Sequence, residues 1–257
     1  MQSWITSLSD RLNDRRALRR WARLAHGAEG LDKSALRQLR VKARQLRQNI
    51  DQVLFEADSR LALPALGSNV IQKPLHSDWA YRPEVWRGPL EPSGVASVPS
   101  GTAFGDEVKL FHDCPLAELT FRQVRNSRET DLAPFGMTLE VLGFNGTFVS
   151  LVVDVPSLAT EGLHRNHIIR LSITAEVERP VGLFARLNIQ HGPNTEQLHQ
   201  QQALNTGEEV IEFDLAYSKV NEKRVEKMWV DLVFEDPSMN KMVLRDLTLC
   251  RHPRAKM

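Results

Sequence analysis

Residues 228–250 read Met228-Trp229-Val230-Asp231-Leu232-Val233-Phe234-Glu235, then Asp236-Pro237-Ser238-Met239-Asn240, then Lys241-Met242-Val243-Leu244-Arg245-Asp246-Leu247-Thr248-Leu249-Cys250. Met228, Val230, Leu232 and Phe234 recur at every second position. Trp229, Asp231, Val233 and Glu235 fill the positions between them. A period of two aims successive side chains at opposite faces, so the first run is a strand with one apolar side. The Asp-Pro-Ser-Met-Asn run has turn chemistry, and the apolar run after it makes a second strand.

The same reading extends upstream. It predicts strands at Glu107–His112, Leu119–Arg125, Gly136–Phe144, Thr147–Val155, His167–Glu178, Val181–His191 and Glu208–Ala216, all rich in Val, Ile, Leu, Phe and Thr. Asn145-Gly146 lies between two of them, and both residues tolerate the positive φ of a tight hairpin. Nine strands with almost no helix between them predict an antiparallel β-sandwich of jelly-roll type over 107–257.

Residues 63–106 change character. Pro64, Pro74, Pro83, Pro89, Pro92 and Pro99 alternate with Gly67, Gly88, Gly94, Gly101 and Gly105, which bars helices and long strands. Trp79, Tyr81 and Trp86 fall close together, and aromatics left in water forfeit much burial energy. The segment therefore reads as an ordered strap lying on the sandwich. The sharper alternative has one of these rings stacking on a sugar or a partner.

Residues 1–62 nearly lack Gly and Pro and are rich in Leu, Arg, Ala and Gln, which are good helix formers. Leu36, Leu39, Ala43, Leu46, Ile50, Val53 and Ala57 are spaced alternately by three and four, the seam of a helix that pairs with a helix. Asp32 is its N-cap candidate, and Gly27 and Gly30 mark the turn before it. Upstream, Trp4, Ile5, Leu8 and Leu12 form one stripe and Leu18, Trp21, Ala22 and Ala25 another. The expectation is a helical hairpin or coiled-coil segment. Residues 36–57 would contact the first arm, a second copy or a protein partner, and residues 1–26 are open to a membrane surface.

The net charge of +1 conceals two unlike parts. Residues 1–60 hold 13 Lys or Arg and 7 Asp or Glu, a net of +6; the remainder is −5. A basic head suits an anionic surface or the acidic body itself. Asp10 and Asp14 dilute its lipid face, and the low aromatic content argues against stacking on nucleic acid. Charges at Asp10, Arg11, Asp14, Arg15 and Arg16 break the apolar run that an export signal needs. The expected compartment is the cytoplasm, peripheral to the inner membrane if the head meets lipid. Two cysteines, Cys114 and Cys250, exclude a disulfide-built mini-protein and a cysteine-based zinc finger.

Alternation also nominates a site. Arg186, Asn188 and Gln190 oppose Ala185, Leu187 and Ile189; Glu212 and Asp214 oppose Phe213 and Leu215. If these strands neighbour Met228–Glu235, then Trp229, Arg186, Asn188, Asp214 and Asp231 share one outward face. That mixture offers a flat ring and planar polar groups, as a glycan needs, and is also what a solvated sheet face looks like. The competing account buries Trp229 beneath the strap. His191 and Asn194, in a His-Gly-Pro-Asn turn, are candidates at the sandwich edge. His112 and Cys114 stand two apart on a strand, the minimum for a thiol with a base, but buried structural cysteine is the simpler account. His164, His167 and His199 lack a zinc-like spacing, and no Gly-rich phosphate loop follows a strand, so the sequence calls for no metal and no cofactor.

The closing pair Asp231–Phe234 and Met242–Leu249 is similar to the final hairpin of galactose-binding-type jelly rolls and carbohydrate-binding modules. The runs Trp79–Pro89, Leu110–Cys114, Arg186–Asn194 and Glu212–Tyr217 resemble an alphaproteobacterial family of unknown function, over roughly residues 60–255. That resemblance implies a bacterial origin and carries no catalytic residue. The expected function is non-catalytic binding or scaffolding. The alternative is recognition of a glycan linked to cell-surface polysaccharide. A hydrolase comes third, since a glycosidase needs two positioned carboxylates.

Overall fold

The computed structural model describes residues 8–61, 70–115 and 118–254. Trp4, Ile5, Pro64 and Gly67 lie outside them, as do the side chains of Leu8, Leu12 and Ala57. The chain divides into two units, residues 1–51 and 52–257.

In the first unit, α1 (Leu8–His26) ends at Gly27, whose N–H donates to the Arg23 carbonyl at 2.9 Å. A 3-10 turn (Ala28–Gly30) leads to α2 (Lys33–Leu61), which continues into the second unit. Asp32 caps α2, its Oδ1 accepting from the N–H groups of Ser34 (2.8 Å) and Ala35 (2.9 Å). The seam is not packed away. Leu36, Leu46, Ile50 and Val53 are exposed, Val53 to 68%, and Leu18 of α1 is exposed to 71%.

Among the described residues the second unit contains thirteen strands. They are β1 (Trp79–Tyr81), β2 (Gly94–Ala96), β3 (Thr102–Phe104), β4 (Val108–His112), β5 (Leu119–Arg125), β6 (Phe135–Val141), β7 (Val149–Val155), β8 (His167–Val177), β9 (Val181–His191), β10 (Asn194–Leu204), β11 (Gly207–Asp214), β12 (Val225–Glu235) and β13 (Asn240–Pro253). A one-turn helix, α3 (Glu84–Arg87), follows β1. The first sheet runs β11-β8-β13-β6-β5-β2, with β1 also paired to β13; the second runs β10-β9-β12-β7-β4-β3. All pairings are antiparallel. The inward residues, among them Leu151, Leu187 and Leu232 of the second sheet and Leu171, Phe213 and Leu249 of the first, form one apolar core. The nine strands read from periodicity are all present. The additional long strand, β10, carries Gln197, Gln200, Gln201 and Gln202 and shows no apolar alternation strong enough to announce it.

The strap is built into the sandwich. Its β1 joins the first sheet through Ala80↔Cys250, β2 pairs with β5, and β3 pairs with β4 in the second sheet. Val85, Trp86, Val98 and Phe104 belong to the core. Glu84 and Glu107 clasp α3 to the start of β4. Glu107 Oε2 accepts from Glu84 N at 2.7 Å, and Glu84 Oε1 accepts from the N–H groups of Asp106 and Glu107.

Arg251, buried on β13, joins three segments. It donates to both Asp78 carboxylate oxygens at 2.9 Å and to the carbonyls of Ala159 (2.9 Å) and Glu161 (2.8 Å). Nearby, His167 Nδ1 accepts from His164 N at 3.0 Å, which requires a ring without a proton there. Burial, and then the Arg251 charge, push the His167 pKa below the ordinary imidazole value. A folded-state pKa below the unfolded one gives stability that is complete above about pH 6.5 and lost as pH falls. The thermal midpoint should therefore drop between neutral pH and pH ~5.5. The drop should flatten in His167→Asn, whose amide oxygen can accept the same bond. An equal drop in both proteins would assign the effect elsewhere.

Candidate functional site

β9 and β12 lie side by side, with Asn188 opposite Trp229 and Arg186 opposite Asp231. β10 extends the rows with Gln197 opposite Asn188 and His199 opposite Arg186, and β7 adds Asp154 opposite Trp229. Four of the five residues nominated for an outward face are thus brought together. The fifth is not. Asp214 lies on β11, which pairs with β8 in the other sheet. There it accepts from Ala216 N at 2.9 Å and pairs with Arg254 at 3.3 Å. Strand alternation names the face of a residue within its own strand and leaves the choice of sheet open, so Asp214 was misplaced by topology.

Three of the four remaining side chains, Arg186, Asn188 and Asp231, form an ordered network with Gln197. Asp231 is only 5% exposed. Its Oδ2 accepts from Arg186 Nε (2.8 Å), Arg186 Nη2 (2.7 Å) and Asn188 Nδ2 (3.0 Å). Gln197 Nε2 donates to Asn188 Oδ1 at 3.0 Å. A carboxylate this buried requires compensation, and three donors, two of them cationic, supply it. In return Asp231 holds the partly exposed Arg186 fork in one orientation. Trp229 is half-buried beside this network, with Lys227 Nζ 5.5 Å from its ring centroid. Lys227 in turn pairs with Asp154 at 2.7 Å. Further along the face, Phe184 stacks on His199 with centroids 5.5 Å apart, and Phe111 of β4 is exposed.

Among the described residues, Trp79, Tyr81 and Trp86 of the strap lie against β13 of the first sheet and not over Trp229 on β12, contrary to the competing account. Trp79 stacks on Tyr81 with centroids 5.9 Å apart, beside β13 of the other sheet. Trp86 is wholly buried and donates its indole N–H to the Leu244 carbonyl at 2.9 Å. It has no face left for a sugar.

The edge candidates separate. His191 ends β9 and is buried between Asn194 and Val225, and Asn194 is exposed at the start of β10. Gly192 between them has φ 60°, the left-handed region that the turn requires. His112 and Cys114 line one concavity at the end of the sandwich but do not bond to each other. Cys114 Sγ–H donates to Asn145 Oδ1 at 3.0 Å, and His112 Nε2 bonds the Val98 carbonyl at 2.9 Å. Cys114 is thus paired as a structural thiol. Of the other histidines, His164 pairs with Glu222 at 3.0 Å and His199 is in the stack with Phe184.

One polar concavity escaped the sequence. It lies on the outer face of the first sheet, lined by Ser172, Thr174, Thr248, Gln72, Arg245 and Asp246 among others. Asp246, Arg245 and Arg128 are each held in an ion pair. Arg82 donates to both Asp246 oxygens at 2.7 Å, and Arg245 reaches both Glu176 oxygens at 3.0 and 3.2 Å, with Arg128 also on Glu176. Arg245 holds the Glu176 carboxyl below the usual carboxylate range, the reverse of what a general acid needs. The signal for this site was the consecutive Arg245-Asp246 pair. Two polar residues in succession break strand alternation, and the register of β13 shifts at that point.

The sequence matches the model of the family of unknown function DUF6478 over residues 1–257. The chain belongs to DUF6478. A search of the curated proteins finds no match. Among solved structures, this DUF6478 member is similar to a family 11 carbohydrate-binding module from Clostridium thermocellum, bound to a β-1,3-1,4-mixed-linked tetrasaccharide. The identity is 10%, the TM-score 0.38, and the match covers 63% of this chain and 98% of that one. It is also similar to the CBM22-1 xylan-binding domain of Paenibacillus barcinonensis Xyn10C, at 7% identity and a TM-score of 0.34, over 63% of this chain and 94% of that one. The tailspike protein 4 of bacteriophage CBA120 aligns at 6% identity and a TM-score of 0.40, over 62% of this chain and 21% of that one.

Proposed function

We propose that this DUF6478 member is a non-catalytic binding protein whose second sheet presents a glycan-recognition face on β9, β10 and β12. The observation that supports it is the Gln197–Asn188–Asp231–Arg186 chain fixed beside Trp229. Planar donors and acceptors held in place cost little ordering when a hydroxyl-rich ligand arrives, and the indole face takes the apolar side of a pyranose. The absence of catalysis is supported by the locked state of the ionisable groups. Asp231, Asp246 and Glu176 are each neutralised by arginine, and Cys114 bonds an amide.

Binding to a bacterial-polysaccharide glycan array, followed by titration of the retained glycan, tests the proposal. Trp229→Ala should weaken binding by ~30-fold, the effect of losing a ~2 kcal/mol hot-spot contact, while its thermal transition stays cooperative. No retained glycan, or equal affinity in the variant, would sink it.

A further inference from the structure

We propose that the helical head docks on the surface of an anionic lipid bilayer. Between Leu8 and Ile50 the sequence holds twelve Lys or Arg and four Asp or Glu. The acidic residues are confined to Asp10, Asp14, Glu29 and Asp32. From Arg15 to Ala28 there are five arginines, and from Lys33 to Ile50 six Lys or Arg, with no carboxylate in either stretch. Arg37, Arg40, Lys42 and Arg44 are exposed on α2, as are Arg15, Arg16, Arg19, Arg20 and Arg23 on α1.

Charge of one sign supplies half of what such an interface needs. The other half is the apolar seam beside it. Leu36, Leu46, Ile50 (48% exposed) and Val53 lie open on α2, and Leu18 lies open on α1, one turn from the half-buried Trp21. A helix with an apolar stripe and a basic remainder matches the two layers of an anionic interface, acyl chains below and headgroups above.

Two other occupants fit less well. In a coiled coil of two copies, the positions flanking the seam face each other, and here they are Arg40, Lys42 and Arg47. A second copy would set cation against cation. Nucleic acid would satisfy the arginines but leave the seam in water, since phosphates cover no apolar surface. No helix among the described residues is long and apolar enough to cross a membrane. The contact therefore lies along the surface.

The test is co-sedimentation of the full chain with vesicles of phosphatidylcholine alone or mixed with phosphatidylglycerol. Binding to the mixed vesicles should exceed binding to phosphatidylcholine by ~10-fold or more and weaken as salt is raised. Two variants separate charge from seam. Arg37→Gln/Arg40→Gln/Lys42→Gln/Arg44→Gln removes the electrostatic attraction. Leu36→Gln/Leu46→Gln/Ile50→Gln keeps every charge and removes the apolar stripe. Both should lose ~10-fold or more on mixed vesicles, with the near-ultraviolet circular dichroism of the sandwich unchanged. Equal partition onto both vesicle types would overturn the proposal. So would full binding by the leucine variant, displacement from vesicles by duplex DNA, or a stable dimer that this variant dissociates.

Discussion

Trp86→Ala is expected to destabilise the sandwich by ~3–5 kcal/mol, the range for removing a large buried aromatic. Trp86 has no exposed surface, and its indole N–H satisfies the Leu244 carbonyl, next to the point where β13 shifts register. Alanine removes the ring from the core and leaves that buried carbonyl without its partner, and the two costs add. Trp86→Phe refills most of the space and restores no hydrogen bond, so its loss should be smaller. Urea unfolding of the full chain measures both, with the denaturant slope unchanged if the native state keeps its compactness. A loss under ~1 kcal/mol would mean that the strap is an accessory to the sandwich and α3 a dispensable plug.

Arg82→Met should cost ~3–5 kcal/mol for a different reason. Arg82 is 2% exposed and holds both oxygens of Asp246. Methionine keeps much of the volume and removes the charge, so the Asp246 carboxyl loses both of its guanidinium donors. The companion variant Arg82→Met/Asp246→Leu removes both charges and should recover most of the loss. Buried ion pairs replaced together by apolar groups are often neutral. The double-mutant cycle reads the coupling directly. If the double variant is as unstable as Arg82→Met, the arginine acts through packing and its bond to the Val70 carbonyl rather than through Asp246.

Much of this architecture was legible because burial on one face of a strand writes a period of two into the chain. Met228 to Phe234 and Ala185 to Ile189 alternate cleanly, and both strands lie where that alternation puts them. The polar strand β10 was not legible. Its residues face little core, and polar edge positions carry no apolar signal. The candidate face was legible in part. Trp229, Asp231, Asn188 and Arg186 meet because β9 and β12 are neighbours, whereas Asp214 belongs to the other sheet. Strand order is decided by which long-range pairings close the core, and a single strand's pattern does not record it. The Arg82–Asp246 pair was invisible for the same reason, joining positions 164 residues apart.

The long C-terminal strand has a consequence for how the protein is made. β13 is flanked by β8 on one side and by β6 and β1 on the other, so the last described strand of the sandwich lies in the interior of its sheet. Trp79, near the start of the sandwich, faces Arg251, near its end. Until β13 has emerged from the ribosome, β8 and β6 have an empty lane between them, and β1 lacks the strand it pairs with among the described residues. The first sheet therefore closes only once residues 240–253 are free to pair. Until then its apolar edges are what a chaperone would meet.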